Sequence, residues 1–263
     1  MKKLYVAHQD PDSREWIPVA VLEETQVGYE LRYTMGASRC VGFSGFGRMS
    51  ELDRVYLSPE IFPFFANRLI SRARPEFESY MRWVGLSPDS LNDPMSILAV
   101  TSGIRATDAY ELFSSPESVD GKLGFEFFVR GIRYLPGLTL SLLAEDLIGS
   151  SLRLMLDVQN EKDRSAVLLR TERNMVIVGY TPRYYCSGML DLLAMDKVEL
   201  SIDVKRVNVD APLDMRVLCS VKASGVPAGF NLLKRVEDLQ PWTKEKIDHF
   251  SEKILNQTNL DII

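Results

Sequence analysis

Short apolar runs separated by polar stretches predict β-strands in the first third of the chain, at residues 4–7, 16–22 and 29–33. Their length and their Val, Leu and Tyr content are typical of strands. Because Pro18 cannot donate a backbone hydrogen bond, the second run is expected at the edge of a sheet. The glycine-rich segment 35–47 matches neither common phosphate-loop pattern, which favours a mobile hairpin loop over a nucleotide site.

The hydrophobic period becomes helical after residue 57, and three helices are expected there. The first begins at the Ser58-Pro59 pair and places residues 61, 64, 65 and 69 on one face. The second spans about 75–85, and the third spans about 93–103. The aromatic run at 62–65 has the spacing of core residues.

A Ser-, Pro- and Gly-rich stretch at 114–124 interrupts the helical pattern and predicts a domain boundary. Beyond it the pattern predicts mostly strands. Within residues 154–183, a polar Asn-x-x-Asp turn lies between two apolar runs, and an Arg-rich loop, another strand and a helix from Pro182 to about Met195 follow. The last segment is expected to be helical, with an apolar stripe formed by Trp242, Ile247, Phe250 and Ile254.

Composition narrows the class of protein. The chain has 263 residues, 46% of them hydrophobic and 25% charged, and a formal net charge of −5. This indicates a soluble globular protein, and any nucleic-acid site must be a local basic patch. Three widely spaced cysteines, no signal-peptide pattern and no membrane-length apolar run predict a cytoplasmic protein with no membrane association.

Several motifs in the second half occur in a specific order. They are Phe-Val-Arg-Gly-Ile-Arg-Tyr at 128–134, the run 152–160, Asp163, Ala-Val at 166–167 and Val-Gly-Tyr-x-Pro-Arg at 178–183. Together they resemble the HIRAN domain over about 125–223. The resemblance implies a compact β-barrel related to OB-folds that binds single-stranded DNA at its 3′ end. The fold class expected for the whole chain is therefore α+β.

The resemblance also implies roles for individual residues. Tyr134 would stack on a terminal base, Asp163 would approach the terminal hydroxyl, and Arg183 would approach phosphate. A carboxylate accepts a hydroxyl proton and repels a phosphate, so Asp163 would give end selectivity. The residues expected to contact DNA are Arg133, Tyr134, Asn160, Lys162, Asp163, Tyr180 and Arg183.

Two positions depart from the family pattern. Lys162 stands where an aromatic residue is common, which removes on the order of 1–3 kcal/mol of base stacking and offers a phosphate contact in its place. Glu161 replaces the usual proline and adds a negative charge near the expected DNA path.

A second resemblance covers the N-terminal part. The strand-rich start and the segments 64–86 and 93–113 look like the N-terminal subdomain of HipA-type toxins, without the kinase that follows it there. The expected organisation is a HipA-like interaction domain at 1–118, a HIRAN-like barrel at 124–226 and a helical tail at 227–263.

Little in the sequence points to catalysis. His8 and His249 lie at opposite ends of the chain, and no metal-ligand spacing occurs, so no metal, cofactor or catalytic residue is expected. Cys186 is interpreted as a buried helix residue. Mg²⁺-dependent cleavage would require two or three carboxylates to converge, from among Asp157, Asp163, Asp203, Asp210 and Asp214.

Three functions follow from these observations. The first is a non-catalytic protein that binds single-stranded or 3′-ended DNA, with a protein partner bound by the N-terminal domain. The alternative is a protein-interaction component of a toxin–antitoxin or phage-defence system that does not bind DNA. A metal-dependent nuclease is the third.

Overall fold

The structure is a computed structural model that describes residues 2–86, 90, 92–135, 147–173, 175–233 and 236–242. The contacts divide the described residues into two compact units that are discontinuous in sequence. The first contains residues 2–69, 102–114 and 236–242, and the second contains the described parts of 70–101 and 115–233. The limits 118, 124 and 226 expected from the sequence stay predictions.

The first unit is built on a five-stranded antiparallel sheet with the order β4-β3-β2-β1-β5. Its strands are β1 Lys3–Gln9, β2 Trp16–Thr25, β3 Gly28–Tyr33, β4 Tyr56–Ser58 and β5 Tyr110–Phe113. Runs of consecutive buried residues in β1 and β2 show that both faces of the central strands are covered. The three strands expected in this region are present.

Pro18 lies in an interior strand, so the expected edge position is wrong. It is opposite Ala7, where the register shifts between Val6 and Ala7. Such an irregularity accommodates a residue without an N–H group inside a sheet. The Pro18 carbonyl accepts a hydrogen bond from the Thr34 hydroxyl at 2.7 Å.

The glycine-rich segment is packed against the sheet, which overturns the expectation of a hairpin loop. It begins with helix α1, Gly36–Arg39. Phe46 is buried, and its ring centroid lies 5.5 Å from that of Tyr33. The backbone N–H of Phe46 donates to the Tyr33 hydroxyl at 3.0 Å.

The helix expected from Ser58 is shorter and begins later. Ser58 pairs with Tyr29 and ends β4, because sheet pairing outweighs the local capping signal. Helix α2 is Pro63–Ala66. Phe62 and Phe65 are buried, as the spacing of the aromatic run predicts.

The second unit begins with two helices that were expected from the sequence. They are α3, Phe77–Val84, which ends at Gly85, and α4, Pro94–Thr101. The Asp93 carboxylate caps α4, accepting from the backbone N–H groups of Met95 and Ser96 at 3.0 and 3.3 Å. Helix α3 packs on the strands of this unit through a core formed by Val84, Phe128, Ala211, Met215 and Leu218.

The strands of the second unit form two three-stranded antiparallel sheets, with the orders β10-β11-β6 and β7-β8-β9. Their bounds are β6 Lys122–Phe128, β7 Leu152–Leu156, β8 Val167–Thr171, β9 Ile177–Tyr180, β10 Glu199–Val207 and β11 Val217–Ser224. Isolated bridges join Arg130 to Tyr180 and Ser151 to Asp203. The OB-like barrel expected from the resemblance is therefore not closed in the described residues, because continuous strand pairing stops at both junctions between the sheets.

Helix α5 spans Arg183–Leu193 and follows β9 directly, close to the helix predicted from Pro182 to about Met195. The described part of the expected helical tail includes a 3-10 helix, Val236–Leu239. Trp242 is half-buried, and its backbone N–H donates to the Tyr33 carbonyl at 3.0 Å. Ile247, Phe250 and Ile254 lie outside the described residues.

Candidate functional site

The first part of the site is the short turn that follows β6. A 3-10 helix, Ile132–Tyr134, begins after Gly131, and the Tyr134 N–H donates to the Gly131 carbonyl at 3.0 Å. Ile132 is buried and anchors the turn, whereas Arg133 is exposed and Tyr134 is 63% exposed. An aromatic ring this exposed is available to stack on a flat ligand.

Two glycines allow this turn to lie against β9. Gly131 has a φ of 70°, and a Cβ there would lie 2.7 Å from Cδ2 of Tyr180. Gly179 has a φ of 148°, and a Cβ there would lie 2.3 Å from Cγ1 of Val129. Both backbones therefore need glycine, because any other residue would be strained and would collide with its neighbour.

The second part of the site is the polar turn between β7 and β8. The Asn160 side-chain oxygen accepts from the backbone N–H groups of Lys162 and Asp163, at 3.1 and 2.9 Å. The Asp163 carbonyl in turn accepts from the N–H of Ala166 at 3.0 Å. This is the local side-chain-to-backbone bonding that the sequence predicts for Asn160.

Folding brings these two distant turns together around Tyr134. The Arg133 guanidinium carbon lies 4.8 Å from the Tyr134 ring centroid, and Lys162 Nζ lies 5.9 Å from the same centroid. Both distances are within the range of cation–π attraction. The result is an exposed aromatic ring with two cations beside it.

Asp163 and Arg183 form an ion pair next to this cluster. Arg183 is the first residue of α5, and its Nε lies 2.8 Å from Oδ2 of Asp163. The other carboxylate oxygen of Asp163 accepts from the backbone N–H of Ser165 at 2.9 Å. The side chains of Asp163 and Arg183 are 17% and 30% exposed, so both remain accessible to a ligand.

Tyr180 occupies a different place from the other candidates. Its ring lies against Gly131, and its hydroxyl donates to Oδ2 of Asp157 at 2.9 Å. Burial, followed by this contact with Asp157, raises the pKa of the Tyr180 hydroxyl above its ordinary value. Tyr180 thus contacts the turn that follows β6 through its ring and the polar turn between β7 and β8 through its hydroxyl.

Asp157 is not among the residues that the sequence predicts for the DNA-binding site. In the structure, it accepts hydrogen bonds that hold the polar turn. Its side chain accepts from both Tyr180 and the Asn160 side-chain amide, the latter at 3.1 Å. Its spacing of three residues before Asn160 is typical of hydrogen-bonded turns. The hydrogen bond between Asp157 and the Asn160 side chain could have been predicted from this spacing.

The other chemical candidates have ordinary surroundings. Asp203 accepts from the Ser151 hydroxyl at 2.8 Å, and Asp210 accepts from Arg82 and the Trp83 indole at 2.6 and 2.9 Å. Burial raises the pKa of the Cys186 thiol to about 12. Within the described residues, no group of three or more His, Cys, Asp and Glu side chains is arranged to hold a metal.

The second unit thus contains a small β-domain with an exposed aromatic and cationic surface. Residues 123–224 match the family model of the HIRAN domain. The chain therefore contains a HIRAN domain at residues 123–224, as the motif resemblance predicts.

Two solved structures are similar to the chain. The crystal structure of the HIRAN domain of human HLTF shares 15% identity, with 42% of this chain and 79% of that one covered and a TM-score of 0.30. The crystal structure of a protein from Lactobacillus plantarum shares 19% identity, with 40% of this chain and 99% of that one covered and a TM-score of 0.28. A search of curated proteins gives no significant match. The resemblance of residues 1–118 to HipA-type toxins is not supported.

None of the helices in the described part of the chain is both long enough and apolar enough to span a membrane.

Proposed function

We propose that the HIRAN domain of this chain binds single-stranded or 3′-ended DNA at the surface formed by Arg133, Tyr134, Lys162, Asp163 and Arg183. One observation carries the proposal. Lys162, which lies 28 residues after Tyr134 in the sequence, is brought within 5.9 Å of its exposed ring. A stacking group and a cation beside it are the two components that a single strand needs from its binding surface.

The cations supply affinity that does not depend on base sequence. Arg133 and Lys162 are exposed beside the ring, so a phosphate next to a stacked base lies within their reach. Lys162 replaces the aromatic residue common at this position in the family. Compared with a domain that has an aromatic residue at this position, we therefore expect less base stacking and an affinity that depends more strongly on salt concentration.

We assign to Asp163 the discrimination between a 3′-hydroxyl and a 3′-phosphate end. Its carboxylate accepts a hydrogen bond from a 3′-hydroxyl, whereas a 3′-phosphate meets like charge. The Arg183 contact at 2.8 Å partly neutralises this carboxylate. We therefore expect a preference for the 3′-hydroxyl that is moderate in size.

Two further parts of the proposal concern the rest of the chain. We propose that the protein is non-catalytic and that the N-terminal unit binds a protein partner. Incubation of a labelled oligonucleotide with the protein and Mg²⁺ tests the first part. Shortening of the oligonucleotide that stops on addition of a chelator would instead identify a nuclease.

Fluorescence anisotropy with labelled oligonucleotides tests DNA binding. Lys162→Gln is expected to weaken binding and to reduce the slope of log affinity against log salt by about 0.7, the value for one phosphate contact on a single strand. Lys222→Gln is the matched control, because Lys222 is an exposed cation near the end of β11 away from Phe128. Equal effects of the two substitutions would contradict the proposal.

Exposed apolar residues beside the polar turn favour a second function, in which the HIRAN domain binds a protein partner. Met155, Leu156 and Val158 are 39%, 43% and 79% exposed. Exposed apolar side chains at one end of a strand and in the turn beside it are available for contact with a protein partner. Failure of the wild-type chain to bind any oligonucleotide at low salt would favour this second function.

A further inference from the structure

Tyr180 is the residue through which the two turns of the candidate surface are connected. Its backbone exchanges two hydrogen bonds of 2.8 Å with Arg130, at the start of the turn that carries Tyr134. Its ring lies beneath Gly131, within 2.7 Å of where a Cβ would stand. Its position relative to the Tyr134 turn is therefore fixed by backbone and ring contacts.

The Tyr180 hydroxyl makes the connection to the other turn. It donates to Asp157 at 2.9 Å, and Asp157 also accepts from the Asn160 side chain at 3.1 Å. The same Asn160 side chain holds the backbone N–H groups of Lys162 and Asp163. A continuous series of hydrogen bonds thus runs from Tyr180 to the two residues expected to meet phosphate and the strand end.

We propose that Tyr180 and Asp157 are positioning residues that fix the polar turn relative to the stacking ring of Tyr134, an inference that rests on the proposed function. Tyr180 acts through its hydroxyl and not as a stacking group. Asp157 acts through its carboxylate and not as a ligand for DNA or metal.

The physical reason is the strength and the direction of a hydrogen bond to a charged acceptor. Bonds of this kind are stronger than those between neutral groups, and they fix direction as well as distance. The Tyr180 and Asp157 side chains are both half-buried, so water competes only partly for this contact. Loss of the hydroxyl leaves the ring under Gly131 in place and releases the turn alone.

Amide hydrogen exchange in the 263-residue chain tests the positioning role without DNA. In Tyr180→Phe, exchange of the Lys162 and Asp163 amides measured by NMR is expected to rise by about two- to tenfold. The amides of Val204 and Asn208, which donate to the carbonyls of Ser150 and Arg216 at 3.0 and 2.8 Å, serve as internal references. Tyr29→Phe removes a tyrosine hydroxyl from the other unit as a control. Unchanged exchange at residues 162 and 163 would overturn the inference.

The double variant Tyr180→Phe with Asp157→Asn separates a shared role from two independent ones. If the two residues act through one contact, exchange in the double variant equals that of the more affected single variant. Additive increases would show independent effects and would contradict the inference.

Binding measurements add the functional readout. Tyr180→Phe is expected to reduce the ratio of 3′-hydroxyl to 3′-phosphate affinity by about two- to fivefold, with the salt dependence nearly unchanged. An unchanged ratio would limit Tyr180 to a structural role. If the wild-type chain binds no oligonucleotide, the proposed function fails, and the exchange experiment still decides whether Tyr180 positions the turn.

Discussion

Arg183 Nε lies 2.8 Å from Asp163 Oδ2, so the carboxylate expected to meet a strand end is already paired with a cation. Asp163→Asn removes the charge and retains an oxygen for the Ser165 N–H. It is expected to raise affinity for a 3′-phosphate end by up to about fivefold, since a partly exposed ion pair contributes at most about 1 kcal/mol. Affinity for the 3′-hydroxyl end should fall, and anisotropy titrations with the two ends measure both changes.

Glu172→Gln is the control for this prediction. It removes one negative charge from an exposed ion pair with Arg153, at the opposite end of β8 from the polar turn. It should change affinity for the two ends equally. If Asp163→Asn also left the ratio of the two affinities unchanged, Asp163 would have no part in end recognition.

Tyr134→Ala is predicted to weaken oligonucleotide binding by about 1–3 kcal/mol, the cost of one lost stacking contact. Because the ring is 63% exposed, the midpoint of thermal unfolding should change little. Tyr134→Phe retains the stacking face and should retain most of the affinity. Calorimetry or anisotropy gives the affinities, and a loss in the phenylalanine variant as large as that in the alanine variant would argue against stacking.

Local signals in the sequence predict the parts of the site that form within a few residues. The Asn160 side chain bonds backbone groups two and three residues later, and Pro182 directly precedes α5. Both depend on turn and capping chemistry that a short segment already contains. The order of the motifs was sufficient to identify the HIRAN domain at residues 123–224.

Contacts between distant segments were beyond prediction from local patterns. The approach of Lys162 to Tyr134 depends on how β9 passes beneath Gly131, which no spacing in the sequence reveals. In the same way, Pro18 is interior because a register shift in the neighbouring strand accommodates it. Ser58 pairs in a sheet and does not cap a helix, because tertiary pairing overrides a weak local preference.

The stability of the first unit is expected to depend on pH through Asp10. Its buried carboxylate accepts from the backbone N–H groups of Ser13 and Val41, at 2.8 and 2.9 Å, and from that of Asp12 at 3.2 Å. These bonds, that of Ser13 foremost, lower the pKa of Asp10 from 3.8 to about 2. The stabilisation is therefore fully present above the unfolded-state pKa and is lost as pH falls through about 2.

Asp10→Asn should accordingly reduce the free energy of unfolding most at neutral pH, because one carboxylate oxygen is replaced by an NH₂ group that cannot accept. The difference from wild type should shrink between pH 4 and pH 2, as measured by urea denaturation at several pH values. Asp53→Asn, at an exposed position, is the control and should show little difference at any pH. A difference for Asp10→Asn that is constant down to pH 2 would contradict the assigned role of the charge.

Alanine substitutions at Gly131 and Gly149 distinguish the cost of backbone strain from the cost of a steric collision. Both glycines have left-handed backbones, with φ of 70° and 75°. A Cβ at Gly149 would meet nothing within 4 Å, whereas one at Gly131 would lie 2.7 Å from the Tyr180 ring. Gly149→Ala should therefore cost only the conformational strain, about 1–2 kcal/mol. Gly131→Ala should cost more in urea denaturation and should also weaken oligonucleotide binding, since Tyr180 must move away from Asp157. Equal losses of stability in the two variants would show that the ring yields without cost and that this close approach does not hold the site together.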